Sequence, residues 1–219
     1  NMNGITVSDP STPKYAHPHD SPIQDKRTLL GLIKSCRTSQ DLARARMIHT
    51  QMIQTCPFHD DLRLRNALLS MYARCGAIDE AKKVFDEIQV PDVVSWNALI
   101  AGYAKNGATG IVMECLEKME QIGISSCAIT LISCLKACSC MEELESGYKM
   151  HTEIVFKGFD RDVALGNALI GMYAKCRSLA SSSAVFNNMR CRDVISWTTL
   201  MAAYTENGLR EEAIDCLRQ

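Results

Sequence analysis

One feature constrains this chain more than any other: it writes the same passages twice. NALLSMYARC at 66–75 returns as NALIGMYAKC at 167–176, and SWNALIAGYAKNG at 95–107 returns as SWTTLMAAYTENG at 196–208, both 101 positions later. Upstream, IKSCRTSQDLARARMIHTQMI at 33–53 matches LKACSCMEELESGYKMHTEIV at 135–155 at an offset of 102, which places one extra residue in the first copy near Pro57. Inside each long unit runs a shorter beat. Asn66, Asn97 and Asn167 each open the pattern Asn-Ala-Leu-(Leu/Ile), followed by an aromatic residue. Boundaries at Asp61, Asp92, Cys127, Asp162 and Asp193 divide 26–193 into units of 36, 31, 35, 35 and 31 residues. Periods of this length mark a solenoid, in which each unit buries its apolar faces against its neighbours.

Each unit reads as two helices. In 93–127, Trp96, Leu99, Ile100 and Tyr103 fall at i, i+3, i+4 and i+7, and Asn106-Gly107 supplies a left-handed stop. A second stripe, Val112, Cys115, Leu116 and Met119, ends at Gly123. In 62–92, Ala67, Leu68, Met71 and Tyr72 precede Cys75-Gly76, and Ile78, Ala81, Val84, Phe85 and Ile88 precede Pro91. A hairpin of this size cannot bury both faces alone, and the demand that neighbours fit one another explains the repetition. The second long unit departs from the first in two places. Arg177 stands where Gly76 does, at a left-handed turn, and ASSSA at 180–184 replaces the better helix formers DEAKK.

Composition removes several alternatives. With 24 Lys and Arg against 25 Asp and Glu, no strong field advertises a partner. The eleven cysteines are scattered through helical segments and fit reduced, buried thiols better than a disulfide framework. No apolar run approaches the roughly 18 to 20 residues a membrane span needs, so no membrane association is expected. Residues 1–25 hold Pro10, Pro13, Pro18 and Pro22 and read as a disordered leader or linker, without a targeting pattern of their own.

At these residues the chain resembles the pentatricopeptide repeat family, in the plant form that alternates long, short and standard motifs. Residues 26–61 and 128–162 resemble long motifs through IKSC…MIH and LKAC…KMH. Residues 62–92 and 163–193 resemble short ones, and 93–127 and the partial 194–219 resemble standard ones through VVSWNALIAGYAKNG and VISWTTLMAAYTENG. The resemblance implies an all-α fold, a right-handed α-solenoid superhelix of stacked helix-turn-helix repeats, and the binding of single-stranded RNA at about one base per repeat. Tetratricopeptide repeats share the period but open on Trp-x-x-Leu-Gly, which is missing here.

In the family a base is read mainly by the fifth residue of a motif together with its last residue. Carried over, these positions are Asn66 with Asp92, Asn97 with Cys127, Ile132 with Asp162, Leu30 with Asp61, Asn167 with Asp193, and Thr198, whose partner lies beyond Gln219. The Asn-Asp pairs resemble those that favour uracil, whose N3–H donor beside carbonyl acceptors an amide can match. Two uridines three nucleotides apart are expected. Thr198 resembles a purine-preferring residue, and Cys127 departs from the usual Asp or Asn. Val94 and Ile195, at second positions, are expected to wedge against bases. Simpler roles stand beside these: Asn66 and Asn167 as local backbone partners, Asp92 and Asp193 as helix caps, Val94 and Ile195 as packing.

Other chemistry is weakly supported. Cys134, Cys138, Cys140 and His151 suggest a metal site, but only Cys138 and His151 recur, as Cys36 and His49, so they read as packing elements and no metal, cofactor or catalysis is expected. The start at Asn1 and the stop within a half-motif suggest a fragment of a longer protein. Through the resemblance, the expected role is recognition of a mitochondrial or chloroplast transcript for processing or cytidine-to-uridine editing, with editing or processing proteins as further partners and no DNA. The rival is a scaffold that holds a protein in its groove, and the sequence pI of 6.6, low for a nucleic-acid module, speaks for it.

Overall fold

The computed structural model describes residues 25–55, 60–216 and 218. Residues 1–24 of the expected leader, and the extra residue near Pro57, lie outside them. Asp25, assigned to that leader, instead caps the first helix by accepting hydrogen bonds from the backbone N–H groups of Arg27 and Thr28 at 3.3 and 3.2 Å. Twelve α-helices are seen among the described residues: α1 Lys26–Ser35, α2 Leu42–Thr55, α3 Leu62–Arg74, α4 Ile78–Asp86, α5 Val93–Lys105, α6 Thr109–Gln121, α7 Ala128–Met141, α8 Leu144–Phe156, α9 Val163–Lys175, α10 Leu179–Asn188, α11 Val194–Glu206 and α12 Arg210–Cys216. The odd-numbered helices stack directly on one another, and each even-numbered helix packs on its own partner and on the odd helix that follows. The result is a two-layer all-α solenoid.

The core lies between the layers. From Leu29 to Tyr173 one continuous apolar cluster crosses every repeat boundary, and a second cluster around Ile170, Phe186 and Leu200 closes the C-terminal end. The expected stripes of α3, α5 and α6 are buried or half-buried, whereas Ile88 is buried two residues beyond the end of α4. Phe85 and Trp96 meet edge to face at 4.7 Å and join α4 to α5. Phe186 and Trp197 repeat the contact at 4.7 Å, 101 residues later. Gly102 on α5 permits a close approach, since a Cβ there would lie 2.8 Å from Ile78 Cδ1 and 3.0 Å from Ala73 Cβ.

The cysteines and histidines that recur serve this packing. Cys36 and Cys138 are fully buried. Burial pushes the Cys134 and Cys138 thiols up to about 12, so they are protonated hydrophobes. His49 Nδ1 lies 3.0 Å from the Tyr72 hydroxyl, and His151 Nδ1 lies 2.9 Å from that of Tyr173, so α2 is tied to α3 and α8 to α9.

Odd helices start on side-chain caps. Asp61, Asp92, Asp162 and Asp193 each accept backbone N–H groups of the first turn, which satisfies donors that have no partner within the helix. Of the odd helices, α3, α5, α7, α9 and α11 end on left-handed residues. At Gly76 the φ is 78°, and the Ala77 N–H closes on the Tyr72 carbonyl at 3.0 Å. Arg177 keeps the same geometry with φ 59°, and Ser178 N–H reaches the Tyr173 carbonyl at 2.8 Å. A side chain in that conformation costs about 1 kcal/mol. Arg177→Gly is therefore expected to stabilise the α9–α10 hairpin by about that amount, read as a higher midpoint in urea; an unchanged or lower midpoint would refute it.

Candidate nucleic-acid interface

The second and fifth residues of each odd helix lie three apart, so they share a face. The second-position residues Arg27, Arg63, Val94, Ile129, Ala164 and Ile195 are all exposed. Val94 retains 51% of its surface, Ile129 65% and Ile195 60%, high values for apolar side chains and unlike packing residues. Ile129 belongs to the same row as Val94 and Ile195 but sits in the unit 128–162, where sequence reasoning did not look for it.

The fifth residues divide into two kinds. Asn66, on α3 and only 7% exposed, donates from Nδ2 to Asp92 Oδ1 at 3.0 Å, across the gap to the start of α5. Asn167 on α9 makes the same bond to Asp193 at 3.1 Å. Asn97 Nδ2 lies 3.5 Å from Cys127 Sγ, the sulfur version of this contact. All three pairs are therefore brought together. In 26–61 and 128–162 the pairs have no such bond to make: Ile132 is half-buried against the core, and Asp162 caps α9 through Leu165 N–H at 2.9 Å. Leu30 is likewise half-buried, and Asp61 pairs with the Lys26 ammonium. Thr198 is exposed, but its hydroxyl donates to the Val194 carbonyl of its own helix at 2.8 Å.

A third residue completes the Asn66 and Asn97 sites, and sequence reasoning missed it. Ser95 Oγ donates to Asn66 Oδ1 at 2.6 Å, and Thr130 Oγ1 donates to Asn97 Oδ1 at 2.5 Å. The equivalent Ser196 Oγ lies 2.9 Å from Asp193 Oδ1. The signal that could have found them is a hydroxyl residue three positions after each loop acceptor that follows an Asn-bearing helix.

The acceptors are electrostatically prepared. Burial pushes the Asp92 carboxyl up, but hydrogen bonds from the Ser95 N–H and hydroxyl and from the Asn66 amide outweigh it, so the group lies below the usual carboxyl value. At Asp193 the Ser196 N–H and hydroxyl lower it directly. Burial likewise raises the Cys127 thiol, yet bonds from Thr130 and Asn97 more than offset this and bring it down to about 7. Each Asp thus caps a helix and holds an amide at once.

Cations mark the far ends of the same helices. Arg74, Lys105 and Lys175 occupy the last turns of α3, α5 and α9, where the helix dipole favours positive charge. Lys105 Nζ bonds the Arg74 carbonyl at 2.7 Å, and Lys175 pairs with Glu206 at 2.7 Å. The row is interrupted at Cys140 on α7 and changes sign at Glu206 on α11. Among the described residues no group of three or more His, Cys, Asp or Glu could hold a metal ion, and no helix is long and apolar enough to cross a membrane.

Comparison with known proteins agrees with this architecture. The PPR repeat family matches residues 65–90, 94–124 and 195–219. The chain is 36% identical over 187 residues to the Arabidopsis thaliana pentatricopeptide repeat-containing protein At2g03880, mitochondrial, covering 85% of this chain and 29% of the relative. It is 35% identical over 183 residues to At1g11290, chloroplastic, from the same plant, covering 84% of this chain and 22% of the relative. The chain thus spans less than a third of the length of these curated relatives. Among solved structures, the pentatricopeptide repeat protein PPR10 in complex with an 18-nt psaJ RNA element superimposes with a TM-score of 0.76 at 17% identity, covering 89% of this chain and 29% of that one. By its matched repeats and its relatives, the chain belongs to the pentatricopeptide repeat family.

Proposed function

We propose that this chain binds single-stranded RNA through its odd-numbered helices, each Asn site taking one base. The observation that carries the reading is the recurrence of one polar constellation, an Asn amide held by an acceptor from the next helix, at 3.0 Å in Asn66–Asp92 and 3.1 Å in Asn167–Asp193. An amide so held keeps one N–H and one carbonyl lone pair for a base, and uracil offers the matching N3–H and carbonyl. Exposed Val94, Ile129 and Ile195, each one turn before the fifth residue of its helix, supply apolar surface for stacking, and the cations Lys105 and Arg74 are assigned to the RNA backbone. PPR10, whose solenoid this one resembles, was crystallised with an RNA element.

The alternation of long, short and standard motifs supports assignment to the plant subclass that carries it. In these terms the chain reads the address of an organellar transcript for processing or cytidine-to-uridine editing, in keeping with relatives named mitochondrial or chloroplastic. The chemical step and any editing or processing partner would then lie elsewhere. Fluorescence anisotropy with short RNAs tests the reading. Two uridines three nucleotides apart are expected to bind more tightly than the same uridines moved to four apart, with affinity falling as salt rises. Equal binding to both, or binding of a peptide ligand with none of RNA at low salt, would sink it in favour of a protein scaffold.

A further inference from the structure

The hydroxyls at Ser95, Thr130 and Ser196 divide the repeats in the same way as the fifth residues do. After Asn66, Asn97 and Asn167 the position three residues into the next helix is Ser, Thr and Ser; after Leu30 and Ile132 it is Leu64 and Leu165. All five side chains are fully buried, so the position belongs to the core, where a hydroxyl without a partner is costly. A buried hydroxyl at this point accompanies an amide and a leucine accompanies an aliphatic residue.

The bonds explain the pairing. Asp92 Oδ1 is acceptor-only and already receives Ser95 N–H at 2.8 Å and Asn66 Nδ2 at 3.0 Å. Ser95 Oγ has a single proton to donate and lies nearer Asn66 Oδ1, at 2.6 Å, than Asp92 Oδ1, at 2.9 Å. Both ends of the Asn66 amide are then fixed: nitrogen toward the carboxylate, oxygen toward the hydroxyl. An amide turned by half a revolution would set its oxygen against the carboxylate and leave its order of donor and acceptor reversed. That reversed order is the one that suits cytosine, whose N3 accepts and whose amino group donates where uracil does the opposite.

We propose that Ser95 and Thr130 are specificity-determining positioning residues, which hold the Asn66 and Asn97 amides in the order that accepts uracil and rejects cytosine. The inference rests on the RNA-reading function proposed above. At Asn97 the hydroxyl carries more of this task, because Cys127 is a weaker partner for the amide nitrogen, at 3.5 Å. At Asn167 it carries less. There Ser196 is bonded to Asp193, and the buried Asn167 Oδ1 has no hydrogen-bond partner, so the amide is held at one end only.

The test uses the full chain and RNAs with U or C at the nucleotide facing Asn66 or Asn167, measured by anisotropy, with circular dichroism to verify folding. Ser95→Ala is expected to cut the U-over-C preference facing Asn66 about five-fold, the worth of one net hydrogen bond, and to leave the preference facing Asn167 unchanged. Ser95→Thr, which places at this site the residue α7 already uses, is expected to restore it. A folded Ser95→Ala chain that keeps the full preference, or loses U and C binding equally, overturns the inference while the reading function stands. A wild-type chain that does not distinguish U from C facing Asn66 overturns both.

Discussion

Phe85→Ala is expected to lower the stability of the array by about 3 to 5 kcal/mol, the usual cost of emptying a buried aromatic site. Phe85 is 8% exposed and Trp96 7%, and their edge-to-face contact at 4.7 Å and 69° joins the last turn of α4 to the first turn of α5. The loss has two parts: the ring area returned to water together with the cavity left behind, and the aromatic pair itself, worth about 0.5 to 1.5 kcal/mol. In a solenoid, stability is a sum of repeat and neighbour-interface contributions, so a break in the middle uncouples both halves. Phe186→Ala removes the equivalent pair with Trp197 near the C-terminal end, where among the described residues only α11 and α12 follow. Its effect should therefore be more local. Urea unfolding followed by far-ultraviolet dichroism measures the first variant, and amide exchange maps the spread of both. A loss under about 1 kcal/mol for Phe85→Ala would show that the repeats are not coupled through this contact.

The second large effect belongs to the groove. Asn66→Ala and Asn167→Ala should each remove about 1 to 3 kcal/mol of base discrimination, the range for a good two-point contact to a base edge, and each only at its own nucleotide. Stability should change little. Asp92 keeps its bond to Ser95 N–H at 2.8 Å and Asp193 keeps its bond to Ser196 N–H at 2.7 Å, so the helix caps survive loss of the amide. The two variants together should bind alike RNAs that carry or lack uridine at the nucleotides facing Asn66 and Asn167, with the salt dependence of binding preserved because the cations are untouched. A variant that weakens every RNA equally would show that Asn66 and Asn167 act on the fold and not on the base. Binding is best compared at one fixed salt concentration for all variants.

Much of this was legible before any coordinate. The paired helices and the stops at Gly76, Gly107 and Gly123 follow from patterns within a dozen residues, and the periods of 31 to 36 residues from the recurrence of those patterns along the chain. So do the Asp caps, because a carboxylate ahead of an apolar stripe meets unsatisfied N–H groups wherever the helix goes. The cysteines illustrate the weaker side of such reading: Cys134 and Cys138 alone suggest a metal, and only their recurrence or absence in the other copy argues for packing.

What the sequence by itself determined is the repeat, its helices, its buried stripes and the candidate Asn and Asp positions, because these depend on local periodicity and on the repetition of residues. The tertiary structure decided which of those positions meet. Asn66 and Asp92 are 26 residues apart, and only the stacking of α5 on α3 brings them to 3.0 Å. That stacking buries Ser95 beneath the amide, and its repetition along the array leaves Ile129 in the exposed row with Val94 and Ile195 and sets Ile132 against the core. Such contacts depend on how one helix sits on the next, and that is fixed by side chains packed across the whole interface, not by the residues that make the contact.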